Sequence, residues 1–218
     1  MTLPTHEAAR QPILNIPPAT KALLIINVVV HLVRLVLPSD LDDAVLVTFA
    51  FIPARYTAAG EFGWPALIDP ISYQFLHGSL AHLAINMLAL LAFGAGVERR
   101  IGGARMFAFA TICGVASVLA HLAVYPASLE PVIGASGAIS GLFGAVLRFR
   151  LRGGARGLLP LVALWIVMDV VTGVSGFGGD GVSIAWIAHI GGFVAGLLLF
   201  GPFDRHAGRS AEDRGADC

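Results

Sequence analysis

Residues 77–98 read HGSLAHLAINMLALLAFGAGVE. Between Ser79 and Glu98 the only ionisable side chain is that of His82. A helix rises about 1.5 Å per residue, so about 20 apolar residues cross the hydrocarbon core of a bilayer. Polar side chains at that depth are costly and usually serve a function. The stretch therefore predicts a membrane-spanning helix that carries His82 and Asn86 for a purpose.

The rest of the chain has the same character. Of its 218 residues, 56% are hydrophobic and 13% are charged, whereas a soluble domain carries about 25% charged residues. We therefore predict an all-α polytopic membrane protein, a bundle of six transmembrane helices near 21–38, 71–96, 104–125, 133–150, 157–175 and 183–203. The predicted membrane domain covers 21–203 and includes an outer loop at about 39–70; residues 1–20 and 204–218 are predicted tails.

Basic residues predict the orientation of the bundle. They cluster in the two tails and in the loops after the second and fourth spans: Arg10, Lys21, Arg99, Arg100, Arg105, Arg148, Arg150, Arg152, Arg156, Arg205, Arg209 and Arg214. Only Arg34 and Arg55 fall on the other side. Because basic loops stay in the cytoplasm, both termini are predicted to be cytoplasmic. The net charge of zero gives no indication of nucleic-acid binding.

This topology brings polar side chains of three helices to one layer of the membrane. His82 and Asn86 are four residues apart and share a helix face. They fit either a functional site or an interhelical hydrogen bond that only holds the bundle together. His77, about 140° around the same helix at 100° per residue, is predicted to point toward the outer loop and to have a structural role.

The fourth span opens with VIGASGAISG, which places Ser136 in the first turn of a helix. Backbone N–H groups there have no partner within the helix and can stabilise a developing oxyanion. Gly134 and Gly137 flank the serine and permit a close backbone approach. The alternative is a Gly/Ser packing seam without chemistry, which is common in membrane helices.

The sixth span contains AHIGGFVAG, in which Gly192 and Gly196 lie on the stripe of His189. Gly137 and Gly141 form a matching pair after Ser136, so the fourth and sixth spans are expected to approach closely. That approach would bring a histidine to a serine, and serine needs such a base to become a nucleophile. Without Ser136, a satisfied core histidine would be the better interpretation.

Other features carry weaker expectations. Glu98 and Arg100 are predicted to pair at the cytoplasmic edge, and Asp169 to bond a neighbouring helix or face the outer loop. The glycine-rich loop VTGVSGFGGDGVS at 171–183 is either an ordinary surface turn or a mobile cap, with the fifth span and its Trp165 and Phe177 flank as a lateral gate. Cys113 and Cys218 do not form a disulfide framework, and we expect no cofactor and no metal.

Taken together, these residues resemble the rhomboid family of intramembrane serine proteases over roughly 50–200. The matching motifs are H-x4-H-x3-N at His77, His82 and Asn86, VERRIGG at 97–103, GxSG at 134–137, and AH-x2-G-x3-G at 188–196. The resemblance implies a rhomboid-like six-helix fold and a Ser–His dyad without an acidic third member. It assigns Ser136 as nucleophile and His189 as general base, with the Ser136 N–H, His82 and Asn86 as the oxyanion site.

The resemblance also implies single-span membrane proteins as substrates, cleaved near the outer leaflet, and a location in the bacterial inner membrane. Two positions depart from the family pattern. Ile68-Asp69 stands where many members have Trp-Arg, and Ser140 stands where many have an aromatic residue that packs on the catalytic histidine.

Two other functions remain open at this stage. A rhomboid-like protein that binds membrane clients without catalysis would need none of Ser136, His189, His82 and Asn86, and this chain has all four. A haem- or metal-binding membrane protein would need paired histidines on facing helices, which the pattern does not predict. The physiological substrate and the oligomeric state are not specified by the sequence.

Overall fold

The computed structural model describes residues 15–58, 62–152, 160, 162, 163, 165, 167 and 186–216. Within these ranges the chain is built from helices, which we number in chain order. They are α1 (Pro18–Leu35), α2 (Ser39–Phe49), α3 (Ala54–Thr57), α4 (Pro65–Ser72), a 3₁₀ turn (Tyr73–Phe75), α5 (Leu80–Ile101), α6 (Gly103–Val124), α7 (Ser136–Arg152) and α8 (Trp186–Ala216).

Four of these helices are long and apolar enough to cross a membrane: α1, α5, α6 and the Trp186–Asp204 part of α8. The predicted all-helical, multi-pass membrane protein is therefore confirmed. The predicted fourth span corresponds to α7, which is 17 residues long. Most of the predicted fifth span lies outside the described residues. The last helix does not end at the predicted boundary of 203 but continues to Ala216.

The second span begins later than predicted. Residues 71–79 belong to the end of α4, the 3₁₀ turn and a short connection, and α5 starts at Leu80. The side chain of Ser79 caps this helix by accepting the N–H of His82 at 3.1 Å. A serine in this position satisfies one of the free N–H groups of the first turn, so the local sequence fixes where the helix begins.

The N-terminal end of α1 and the C-terminal end of α5 are joined by Glu98, which is buried. Its carboxylate accepts the N–H of Ala19 at 2.8 Å, and the N–H and hydroxyl of Thr20 at 2.6 and 2.7 Å. Arg100 instead pairs with Asp204 of α8 at 2.8 Å. The predicted pairing of Glu98 with Arg100 is therefore wrong, because residues two apart on a helix point in different directions.

The centre of the bundle is α7, which is buried along most of its length. Phe143 packs against Phe93 of α5 and Phe193 of α8, with ring centroids 5.1 and 5.6 Å apart. Where α7 meets α8 the contact is made by backbone. A Cβ at Gly192 would collide with the carbonyl oxygen of Gly137, and one at Gly196 with that of Gly141. The close approach predicted from the two glycine pairs is thus present.

Candidate active site

Ser136 is the first residue of α7, and the turn before it is fixed by a glycine. Gly134 has a φ of +117°, a conformation that residues with a Cβ rarely adopt. Its N–H donates to the carbonyl of Tyr73 at 2.9 Å. The serine therefore enters the helix from a turn that is held by the outer loop, and its own N–H lies in the first turn, where no intrahelical acceptor exists.

His189 lies one turn into α8 and is 9% exposed. Its Nε2 lies 2.8 Å from Oγ of Ser136, which is hydrogen-bond distance. The glycine seam explains this contact, because Gly192 follows His189 by three residues and rests directly on the backbone of Gly137. Ser140, one turn after Ser136, is also buried. Because this residue is a serine, position 140 provides no aromatic ring to pack on the imidazole of His189.

His82 lies next to the turn before the serine. A Cβ at Gly134 would be 2.8 Å from Nε2 of His82 and 3.8 Å from Oγ of Ser136. The imidazole and the hydroxyl thus border the same small space, which only a glycine at 134 leaves open. Asn86, one turn further along α5, is buried and donates one amide N–H to the carbonyl of His82 at 2.9 Å. Its second amide N–H is available for another acceptor.

The predicted orientation of His77 is wrong. Its ring contacts that of His82, with centroids 5.0 Å apart, and is 1% exposed. The helical angle that separated the two histidines does not apply, because His77 precedes α5. Burial, together with the neighbouring His82 and His31, lowers the pKa of His77 to about 3, so the ring is neutral. Arg34 of α1, which also pairs with Asp42, donates to the carbonyl of His77 at 2.9 Å.

The outer loop contains a buried charged cluster that the sequence did not reveal. Asp69, on α4, is fully buried and pairs with Arg55 of α3 at 3.0 Å. The hydroxyl of Tyr56 donates to the same carboxylate. Burial raises the pKa of Asp69, while the hydrogen bonds from Tyr56 and Arg55 act in the opposite direction. Burial and the Asp69 contact also raise the pKa of Tyr56.

Several predictions fall on other parts of the chain. Asp169, Phe177 and the loop at 171–183 lie outside the described residues. Trp165 stacks on Phe143 and Phe193, with centroids 5.6 and 5.2 Å apart. Among the described residues, no three His, Cys, Asp or Glu side chains are grouped so that they could hold a metal ion.

The site and its surroundings match a known family. The family model described as "Rhomboid domain" matches residues 66–203, and the chain belongs to the rhomboid family. Rhomboid protease GluP of Bacillus subtilis is 34% identical over 153 residues, which cover 70% of this chain and 28% of GluP.

Two further relatives align with larger parts of this chain. RHOMBOID-like protein 4 of Arabidopsis thaliana is 30% identical over 165 residues, which cover 74% of this chain and 39% of that protein. Rhomboid protease AarA of Providencia stuartii is 27% identical over 212 residues, which cover 83% of this chain and 70% of AarA. The chain thus spans well under half the length of two of these relatives and more than two thirds of the third.

Proposed function

We propose that this protein is an intramembrane serine endopeptidase in which Ser136 is the nucleophile and His189 the general base. The observation that carries the proposal is the 2.8 Å distance between Nε2 of His189 and Oγ of Ser136. Membership of a family whose relatives include proteins named rhomboid proteases supports it.

The first half of the reaction follows from this contact. Neutral His189 accepts the proton of the Ser136 hydroxyl at Nε2 as Oγ attacks the carbonyl carbon of the scissile peptide. A tetrahedral intermediate forms and collapses when the imidazolium gives its proton to the leaving amine. Water then attacks the acyl-enzyme as His189 takes its proton, and the second tetrahedral intermediate collapses to the carboxylic acid as the imidazolium returns the proton to Oγ of Ser136. Each half of the reaction thus ends with the imidazole neutral.

We propose that the oxyanion is stabilised by the N–H of Ser136 together with His82 and Asn86. The supporting geometry is the position of His82 beside Gly134 and Ser136, and the free amide N–H of Asn86. Donors fixed in a buried site stabilise developing negative charge without reorganising. The amide of Asn86 is held on α5 by its hydrogen bond to the backbone carbonyl of His82, one turn earlier.

The proposed substrates are single-span membrane proteins, cleaved near the outer leaflet. The proposed membrane domain is the six-helix bundle of residues 21–203 with both termini in the cytoplasm, and the proposed location is the bacterial inner membrane. The distribution of basic residues supports the orientation. Water must reach Ser136 for deacylation, which favours a site near the outer end of α7 over one at the bilayer centre.

Cleavage of a model transmembrane substrate in liposomes tests the proposal. The wild type is expected to release two fragments, and Ser136→Ala is expected to release none while remaining folded. A serine-reactive fluorophosphonate probe should label the wild type and not the variant. A protein that binds the substrate but neither cleaves it nor reacts with the probe would be a client-binding protein instead.

A further inference from the structure

The buried carboxylate of Asp69 connects two parts of the outer loop. It accepts from Arg55 at 3.0 Å and from the hydroxyl of Tyr56, and it is fully buried. The side chain of Arg55 is 11% exposed. A buried ion pair stabilises a fold only when its geometry is good and its remaining hydrogen-bonding groups are satisfied, so such a cluster specifies one arrangement of the chain around it.

Arg55 extends the connection to the end of α2. Its guanidinium donates to the carbonyl of Ala50 at 3.1 Å and to that of Val47. The hydroxyl of Ser72 donates to the carbonyl of Phe49 at 2.8 Å. The region before α5 thus has a first half, residues 47–57, and a second half, residues 65–75. They are joined by the Asp69 cluster, by the bond from Ser72 to Phe49 and by the packing of Phe51 against Tyr73.

Both halves hold the segment that leads to the serine, residues 126–134. In the first half, Phe51 and Val132 exchange backbone hydrogen bonds of 2.8 and 3.1 Å. The N–H of Ala54 also donates to the carbonyl of Ser128 at 3.0 Å. These contacts fix the segment up to residue 132.

The second half holds the same segment two residues later. The carbonyl of Tyr73 accepts the N–H of Gly134 at 2.9 Å, and the N–H of Tyr73 bonds back to the carbonyl of Asp69. The first half thus binds the backbone of Val132 and the second half that of Gly134, while the side chains of Phe51, Tyr73 and Val132 pack in one cluster. A shift of either half would therefore be passed to residues 133–135, immediately before Ser136.

We propose that Asp69 is a positioning residue for the serine, which fixes the two halves of the outer loop and thereby the place of the Ser136 hydroxyl and N–H. This inference rests on the proposed protease function. It also gives a role to one of the two positions where this chain departs from the family pattern, because a carboxylate stands at 69 where many members have arginine.

The test compares stability with reactivity in the full chain. Asp69→Asn keeps the shape of the side chain and removes its charge, and Tyr56→Phe removes one donor. The control is Asp204→Asn, which breaks the Arg100–Asp204 ion pair at the opposite end of the bundle. Like the Asp69 cluster, this pair has an aromatic neighbour, because Arg100 lies over the ring of Phe149. Each protein is studied well below its own thermal midpoint, by the rate of fluorophosphonate labelling and by kcat and KM for a transmembrane substrate.

Because a misplacement of about 1 Å can cost about 100-fold in rate, Asp69→Asn should lower kcat and the labelling rate by about 10–100-fold with little change in KM. Tyr56→Phe should act in the same direction and less strongly, and it decides the question if Asp69→Asn does not fold. Asp204→Asn should lower the midpoint and leave the labelling rate unchanged.

Wild-type labelling rates in both loop variants would overturn the positioning role and leave the proposed protease intact. Equal losses in Asp69→Asn and Asp204→Asn would overturn it as well, because a general loss of stability would then explain both. A wild type that the probe does not label would contradict the protease function itself, and the positioning role with it.

Discussion

Ser136 and His189 are 53 residues apart in sequence, and their Oγ and Nε2 atoms are 2.8 Å apart in the structure. Since the two groups are expected to act as one unit, Ser136→Ala and His189→Ala should each reduce cleavage by on the order of 10⁴-fold or more. The double variant should be little worse than either single one. Turnover of a transmembrane substrate measures this, and near-normal activity of either single variant would refute the dyad.

A second prediction concerns Asn86. Removing one donor to the oxyanion should reduce kcat by about 10–1000-fold with a small change in KM. The chain offers a matched control in Asn27 of α1, which is also buried and donates to the carbonyl four residues earlier, at 2.8 Å. Asn27→Ala loses the same kind of local hydrogen bond on a different helix. If both variants lost kcat equally, Asn86 would have no special role in the transition state.

The α7–α8 seam gives a third prediction. Gly192→Ala would place a methyl group on the carbonyl oxygen of Gly137, and overpacking of this kind typically costs about 1–3 kcal/mol. We expect a lower thermal midpoint and, because α8 carries His189, a loss of activity in the protein that still folds. Gly96→Ala in α5 is the control, since no atom lies within 4 Å of the added Cβ. A Gly192→Ala protein as stable and active as Gly96→Ala would contradict the backbone contact.

The fourth prediction is a pH dependence of stability. The pKa of His77 is lowered to about 3 in the fold, whereas an unfolded histidine titrates near 6.5. Above pH 6.5 the ring is neutral in both states and the linkage contributes nothing. As the pH falls below about 6.5, the unfolded chain binds a proton that the folded one does not, so stability decreases.

His77→Gln removes this difference in proton binding. Its thermal midpoint in detergent should therefore fall less between pH 7.5 and 5.5 than that of the wild type, by an amount that corresponds to about 1 kcal/mol. Because the comparison is between slopes, a general loss of stability in the variant does not affect it. Identical slopes would show that folding does not lower the pKa of His77.

The sequence predicted those features that depend on composition and on spacing along one helix. The apolar stretches, the start of a helix at Ser136 and the glycine pairs of two spans are of this kind. Helix periodicity failed for His77 because it was applied to a residue outside α5. Ser79 could have corrected it, since a serine before an apolar run is a typical helix start. The proposed pairing of Glu98 with Arg100 also conflicted with the geometry of residues two apart.

The remaining features depend on contacts between distant segments. Asp69 pairs with Arg55, and the N–H of Gly134 donates to the carbonyl of Tyr73, only when the outer loop folds onto the turn before α7. Backbone hydrogen bonds of this kind leave no residue-type pattern, and a buried carboxylate is indistinguishable in sequence from one at the surface. The sequence therefore indicated which residues form the candidate site but not what holds them in place.

The contact between Glu98 and Thr20 has a consequence for biosynthesis. The N-terminal turn of α1 is completed by a carboxylate that lies 78 residues later in the chain. Until α5 has entered the membrane, the N–H groups of Ala19 and Thr20 must be satisfied by water or lipid head groups. The N-terminal end of α1 therefore reaches its final hydrogen bonding only after α5 has been inserted, and a chain released between those two events would lack these bonds.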